Sequence, residues 1–415
     1  MHDPAWIEAA LTAARPQAVS ALLRYFRDLD LAEEAFQDAC LRALRTWPEK
    51  GPPRDPAAWL IFVGRNAAID RTRRAARQQP LPDEEALSDL EDAEAAAAER
   101  LDTAHFRDDI LRLLFVCCHP DLPVTQQVAL ALRIVCGVPT ERIARAFLVT
   151  PAAMEQRITR AKGRVVRAGV PFEAPDAAER AARLQSVAAM LYLLFNEGYS
   201  AGPAEADRGA LAAEAIRLAR LLLRLFPAEP EVMGLTALML LQASRTAARF
   251  DGDGTIVLLD DQDRGRWDRG MIAEGLVLVD KALRHRRPGP YQVQAAIAAL
   301  HARAARPADT DWQQIEVLYR LLEQLQPSPV VTLNRAVAVS KTEGPATALS
   351  LVEPLADRLG GYFHFHGLRG ALLLQLGRRD EARTAFGRAI ALASTAAEAA
   401  HIRRHLDSLE QGTAV

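Results

Sequence analysis

Several things are scarce in this 415-residue chain, and each scarcity excludes a class of protein. Aromatic residues make up only 6% of it, while alanine, leucine and arginine dominate, a mixture that favours helix over sheet. Its four cysteines, Cys40, Cys117, Cys118 and Cys136, form no CxxC pair. They build no disulfide framework and suit a reducing cytosol. No apolar run reaches 18 residues; Leu218–Phe226 is interrupted by Arg220 and Arg224. No membrane span is therefore expected. The opening MHDPAWIEAALTAARP carries two acids and no apolar core, so it does not read as a secretory signal. The expected location is the cytoplasm. There is no GxGxxG phosphate loop and no nucleophile motif, so nothing in the sequence asks for catalysis, a cofactor or a resident metal.

Positive charge is also missing overall, since the formal net charge is −2. The average conceals segregation. Residues 76–104 hold nine acids against Arg77 and Arg100, a net of −7, whereas residues 105–170 hold ten basic residues against five acidic ones, a net of +5. Such a long chain calls for more than one core, and the charge pattern marks where it divides.

Residues 1–75 read as helices. Ala35, Phe36, Ala39, Cys40, Ala43, Leu44 and Trp47 fall at helical spacing over Leu31–Trp47, and a Pro/Gly-rich turn over Trp47–Arg54 ends that helix. The next helix opens with Asp55 as N-cap and Pro56 in the first turn, and runs into the basic cluster Arg71, Arg73 and Arg74. Residues 76–104, with prolines at 80 and 82, read as a linker with a helical stretch at Ala93–Arg100. Residues 105–170 fit three short helices, Thr125–Val135, Thr140–Phe147 and Pro151–Val166. A tight turn capped by Thr150 joins the last two, which is the pattern of a helix-turn-helix.

The remaining residues, 171–415, are almost wholly amphipathic helix. Ala336, Ala348, Val352 and Leu355 return 34 residues later as Gly370, Ala382, Phe386 and Ala389. That period and that alternation of small and bulky positions belong to tetratricopeptide-type helix pairs. Asp251–Trp267 breaks the pattern and reads as a structured loop.

Three faces carry chemistry. Glu155, Gln156, Arg157, Arg160, Lys162 and Arg164 lie on the second helix of the helix-turn-helix, over a stripe of Ile158, Ala161 and Val165. They suit base edges and phosphates in a major groove, although a solvated basic face gives the same pattern. On the preceding unit, Trp59, Phe62, Asn66, Ile69 and Arg73 share an arc beside Arg65, Asp70, Arg71 and Arg74; that suits unpaired bases, or simply a core. Glu34, Gln37, Asp38, Arg42 and Arg45 form a charged face fit for a docking partner. Cys117-Cys118-His119 lacks a second ligand pair and reads as packing, and Asp251-Gly-Asp-Gly departs from a calcium loop at Ile256 and Gln262.

In this order the segments resemble a known family, the extracytoplasmic-function RNA polymerase sigma factors. DLAEEAFQDACLRALR (30–45) and PAAWLIFVGRNAAIDRTRR (56–74) look like sigma region two, and TERIARAFLVTPAAMEQRITRAK (140–162) looks like region four. LYLLFNEGY (191–199), LDDQDRGRW (259–267) and NRAVAV (334–339) are similar to the subgroup with a tetratricopeptide-like extension. The resemblance implies an all-α fold of two small sigma domains, 1–75 and 105–170, separated by the acidic linker and followed by an α-solenoid-like regulatory domain over 171–415. It implies a non-enzymatic initiation factor that binds core RNA polymerase, at its β′ clamp and β flap, and promoter DNA. Glu34, Gln37, Asp38 and Arg42 would meet the clamp. Trp47, Lys50, Arg54, Trp59, Arg65, Asn66, Asp70, Arg71, Arg73 and Arg74 would serve the −10 element, and the helix over Pro151–Arg164 the −35 element. Ala153 and Met154 depart from the polar residues such helices often carry there. Asp260, Asp261, Asp263, Arg264, Arg266 and Trp267 are the candidate contact surface of the regulatory domain, toward a protein or peptide still to be identified. The alternative is a helix-turn-helix regulator that acts without polymerase.

Overall fold

The computed structural model describes residues 5–51, 53–77, 106–119, 122–147, 149–168, 177–202, 205–252, 254–393 and 396–410. Most of the acidic segment expected as a linker, including Ala93–Arg100, lies outside them. All regular elements among the described residues are helical, apart from one isolated antiparallel bridge between Phe250 and Ile256. The fold is all-α, and the chain divides into two compact units, Met1–Leu194 and Phe195–Val415.

In the first unit, α1 (Ala5–Phe26), α2 (Leu29–Lys50) and α3 (Pro56–Arg77) pack on one another. The stripe of α2 that faces inward is Leu29, Ala32, Phe36, Ala39, Ala43 and Trp47, with Glu33 among them. Asp28 caps α2 through the Leu31 amide at 3.0 Å, and Asp55 caps α3 by accepting from the amides of Ala57 and Ala58, both at 3.0 Å. The α2 helix passes the expected stop at Trp47, because Pro48 deprives it of only one amide hydrogen and the amide of Gly51 closes on the Trp47 carbonyl at 2.9 Å. Close approach of α3 to α2 depends on Gly64, where an added Cβ would lie 2.6 Å from the carbonyl oxygen of Ala35.

Four more helices complete this unit. They are α4 (Phe106–Cys117), which packs on α1, then α5 (Val124–Ile134), α6 (Thr140–Ala146) and α7 (Pro151–Ala168). The boundaries of α5 to α7 fall within two residues of those read from periodicity. The Thr150 hydroxyl accepts from the Ala153 amide at 3.2 Å, so the tight turn is capped as expected.

α8 (Ala177–Tyr199) carries the boundary between the units. In the second unit α9 (Ala206–Leu225), α10 (Pro230–Ala243), α11 (Arg269–Arg284) and α12 (Pro290–Arg303) are followed by α13 (Trp312–Leu325), α14 (Pro329–Thr342), α15 (Pro345–Val352) and α16 (Ala356–Leu359). α17 (Phe363–Gln375), α18 (Arg379–Leu392) and α19 (Ala396–Glu410) close the series. Sequence neighbours pack on one another down the chain, as in an α-solenoid. From Pro230 to Leu241 every residue of α10 but Glu231 is buried. That carboxylate projects instead to the start of α12, accepting the amides of Tyr291 and Gln292 at 3.1 Å each. The 34-residue correspondence has a direct structural meaning. Ala336, Ala348 and Val352 of the α14–α15 pair, and Ala382, Phe386 and Ala389 of α18, are fully excluded from solvent in one core, and a Cβ at Gly370 of α17 would meet the Phe386 ring at 2.6 Å.

Candidate nucleic-acid interface

The three faces expected from the sequence lie on three helices of the first unit. On α2, Glu34 and Gln37 are exposed and Asp38 and Arg42 half-buried. Between them two apolar residues stand in water: Leu41, which periodicity had not singled out, is 59% exposed, and Leu44, which it had placed on the helical stripe, is 51% exposed.

On α3 the aromatic arc is split. Trp47, at the end of α2, is buried, stacked on Trp6 at 6.2 Å and edge-on to Trp59 at 5.3 Å. Its ring belongs to the core, which corrects its reading as a residue serving the −10 element. Trp59, Phe62 and Asn66 are half-buried and keep an accessible edge, while Arg65 is exposed with its guanidinium 4.8 Å above the Tyr25 ring. Lys50 and Arg54 are exposed at the α2–α3 turn. Asp70, Arg71, Arg73 and Arg74 fall on the last turns of α3, and their side chains lie outside the described residues.

On α7 the two sides separate sharply. Met154, Ile158, Ala161 and Val165 are buried, whereas Glu155, Gln156, Arg160 and Arg164 are exposed and Arg157 half-buried. The burial of Met154 gives its departure from polar recognition residues a plain cause: it is the first member of the inward stripe. Lys162 departs from expectation. Four residues after Ile158, it shares the inward side, and its ammonium donates to Asp30 at 2.6 Å and Glu33 at 2.7 Å on α2. Burial alone would lower this ammonium, but hydrogen bonds to Asp30 and Glu33 outweigh it and raise it above the ordinary lysine value. Lys162 is therefore not free to meet a phosphate in this conformation.

Glu33 holds a second cation. Its other oxygen accepts from Arg15 of α1 at 3.0 Å, and the same guanidinium donates to the carbonyls of Ile134 at 2.9 Å and Arg133 at 3.2 Å, at the end of α5. Burial depresses Arg15, with Glu33 opposing. Sequence reasoning missed Arg15, Asp30 and Glu33. The available signal was Glu33 itself, an acid four residues after Leu29 and three before Phe36 on an apolar stripe. Deleting one member of such a buried pair typically costs about 3–5 kcal/mol, because the survivor is left uncompensated.

Comparison with known proteins matches two segments of the first unit. Residues 11–78 match the family described as sigma-70 region 2, and residues 112–165 match sigma-70, region 4. The "Probable ECF RNA polymerase sigma factor SigI" of Mycobacterium tuberculosis is 27% identical over 164 residues, 40% of this chain and 55% of that protein. The chain belongs to the extracytoplasmic-function-like sigma factors. Its helical-repeat extension is shared by the "Uncharacterized protein R00370" of Rhizobium meliloti (strain 1021), 70% identical over 411 residues, 99% of this chain and 97% of that one. Residues 183–283 match a family of unknown function, DUF6596. The crystal structure of yeast Tom70 aligns with a TM-score of 0.39 and 14% identity, over 98% of this chain and 85% of that one.

The extension of this sigma factor carries the loop expected as a contact surface, and two of its six residues are placed otherwise. Arg264 and Trp267 are buried, the guanidinium 4.9 Å above the indole and donating to the carbonyls of His301 at 2.8 Å and Ala304 at 2.6 Å. They anchor the loop to α12 and present nothing to a partner. Asp260 forms an ion pair with Lys341 of α14 at 2.9 Å. Asp261, Asp263 and Arg266 remain exposed. Beside the loop lies a groove of about 870 Å³, whose lining includes Tyr199, Arg249, Phe250 and Arg266. Arg249 lies 3.8 Å above the Tyr199 ring.

Cys117, Cys118 and Cys136 are buried and Cys40 is half-buried. Burial pushes the Cys118 thiol up to about 12 and Cys40 to about 11, the latter against an opposing pull from Arg15. No helix among the described residues is long and apolar enough to cross a membrane.

Proposed function

We propose that this sigma factor binds core RNA polymerase through the outer face of α2, holds opened −10 strand against α3 and reads −35 duplex through α7. The observation that carries the reading is the two-sidedness of α7. A helix with four apolar residues inside and Gln156, Arg160 and Arg164 outside, entered through a capped tight turn, has the form that lays its polar side in a major groove. Leu41 and Leu44, exposed among Glu34, Gln37 and Asp38, support a protein partner for α2, which by the family resemblance is the β′ clamp. The half-buried Trp59 and Phe62 beside Arg65 support capture of unpaired bases on α3. Promoter opening on this account is binding energy applied to strand separation, with no bond made or broken by the factor. The repeats act as a regulatory module, with the exposed Asp261, Asp263 and Arg266 bordering its contact surface.

Co-purification with core polymerase, followed by run-off transcription on genomic fragments, tests this reading. Specific transcripts that require both proteins are expected, and are lost on Leu41→Glu/Leu44→Glu through failure to bind polymerase. Tight duplex binding by the chain alone, with no transcript in the presence of core enzyme, would establish the polymerase-independent regulator instead.

A further inference from the structure

The two promoter grips of this factor are fastened to each other. Glu33 of α2 grips Arg15 with one carboxylate oxygen and Lys162 of α7 with the other, at 3.0 and 2.7 Å, and Asp30 supplies a second acceptor for the lysine. Arg15 extends the seam to the end of α5, where its side chain lies so close to Gly137 that a Cβ there would sit 2.8 Å from Arg15 Cδ. The carboxylate of Glu33 is buried, and so is its Arg15 partner. These contacts bind the helix-turn-helix to region two.

A promoter asks for the opposite arrangement. The −10 and −35 elements are named for positions about 25 base pairs apart, which at roughly 3.4 Å per base pair is about 85 Å. α2 and α7 cannot touch while α3 and α7 sit on those two elements. Residues 78–105, fully extended at about 3.4 Å each, would reach about 95 Å, long enough for the separation once α4 leaves α1 together with the helix-turn-helix.

We propose that Glu33 is the latch of a closed, promoter-incompetent state, and that seating on a promoter requires Lys162 to leave Glu33 and Asp30. The inference rests on the sigma-factor reading for its consequence but not for its geometry. A factor whose competent state is only fractionally populated binds more weakly by that fraction, so weakening the latch increases activity. Glu33 suits this role better than Lys162, because no grip on polymerase or DNA has been assigned to it.

The test measures distance and activity separately. Donor and acceptor fluorophores are placed through unnatural amino acids at Leu41 on α2 and Val166 on α7, both well exposed in the full-length chain. The wild type is expected to give a single short distance, and Glu33→Gln a substantial longer-distance population. Lys162→Met, which leaves the Arg15–Glu33 pair intact, should open likewise and decides the matter if Glu33→Gln fails to fold. Unlabelled Glu33→Gln, given to core polymerase at sub-saturating concentration on genomic fragments, should raise run-off transcription by about tenfold. Distances unchanged in a folded variant overturn the latch, and opening without a gain in transcript overturns its regulatory role. If the wild type starts no transcript while the variants still open, the latch stands and the sigma-factor reading falls.

Discussion

Acidification should weaken the repeat domain through one histidine. His301 sits on α12, edge-on to Trp312 at 5.2 Å, with its backbone carbonyl held by Arg264. Burial, together with the nearby Arg245 and Arg264 guanidiniums, lowers its ring to about 4, and Asp260 opposes only in part. An unfolded chain takes up the proton near pH 6.5, whereas the folded one refuses it until about pH 4. The stability that the neutral ring preserves is thus fully present above 6.5 and lost as pH falls from 6.5 toward 4. Linkage places the loss at about 2 kcal/mol by pH 5. Hydrogen-exchange mass spectrometry, corrected for intrinsic exchange rates, reads it as a fall in the opening free energy of α12 between pH 7 and 5. His301→Phe keeps an aromatic ring against Trp312 and cannot titrate, so its opening energy should vary less over that interval by the same amount. An equally steep pH dependence in the variant would refute the assignment.

Three further expectations are sharp. Gly64→Ala puts a methyl 2.6 Å from the Ala35 carbonyl, and should cost the first unit about 1–3 kcal/mol in thermal or urea unfolding; a loss too small to measure would mean that α3 can shift freely. Phe386→Ala empties a site shared by Gly370 and Ala389, and should cost about 3–5 kcal/mol, read by exchange in α17 and α18. Arg160→Gln/Arg164→Gln should reduce the slope of log K against log salt for holoenzyme on promoter duplex by about 2, one unit for each lost phosphate contact; an unchanged slope would take α7 out of the backbone interface.

Helices were the legible part of this sequence. Asp55 with Pro56, and Thr150 with Pro151, announce two starts by local chemistry alone, and the structure places a cap at each. The 34-residue recurrence of small and bulky positions was legible because a close helix pair admits few alternatives: Gly370 is small because Phe386 lies over it. Side-chain destinations were harder to read. Lys162 and Glu33 have the composition of a surface but the register of a core, and each is resolved only by the presence of the other 129 positions away. Trp47 and Arg264 failed for a related reason. An aromatic or an arginine suits a ligand and an interior equally well in one dimension, and the choice depends on which neighbours fold over it. Leu44 is the converse, a position on the expected apolar stripe that the three-helix packing leaves out beside the exposed Leu41.

The state of the thiols has an outcome of its own. Reaction with peroxide or with a thiol reagent goes through the thiolate, and Cys40, Cys117 and Cys118 are all held protonated far above neutrality. While these helices stay folded, mild oxidants should pass those three sulfurs by. Rapid modification of any of them would be an alarm for local unfolding, which turns native cysteine chemistry into a built-in gauge of whether the first unit is intact.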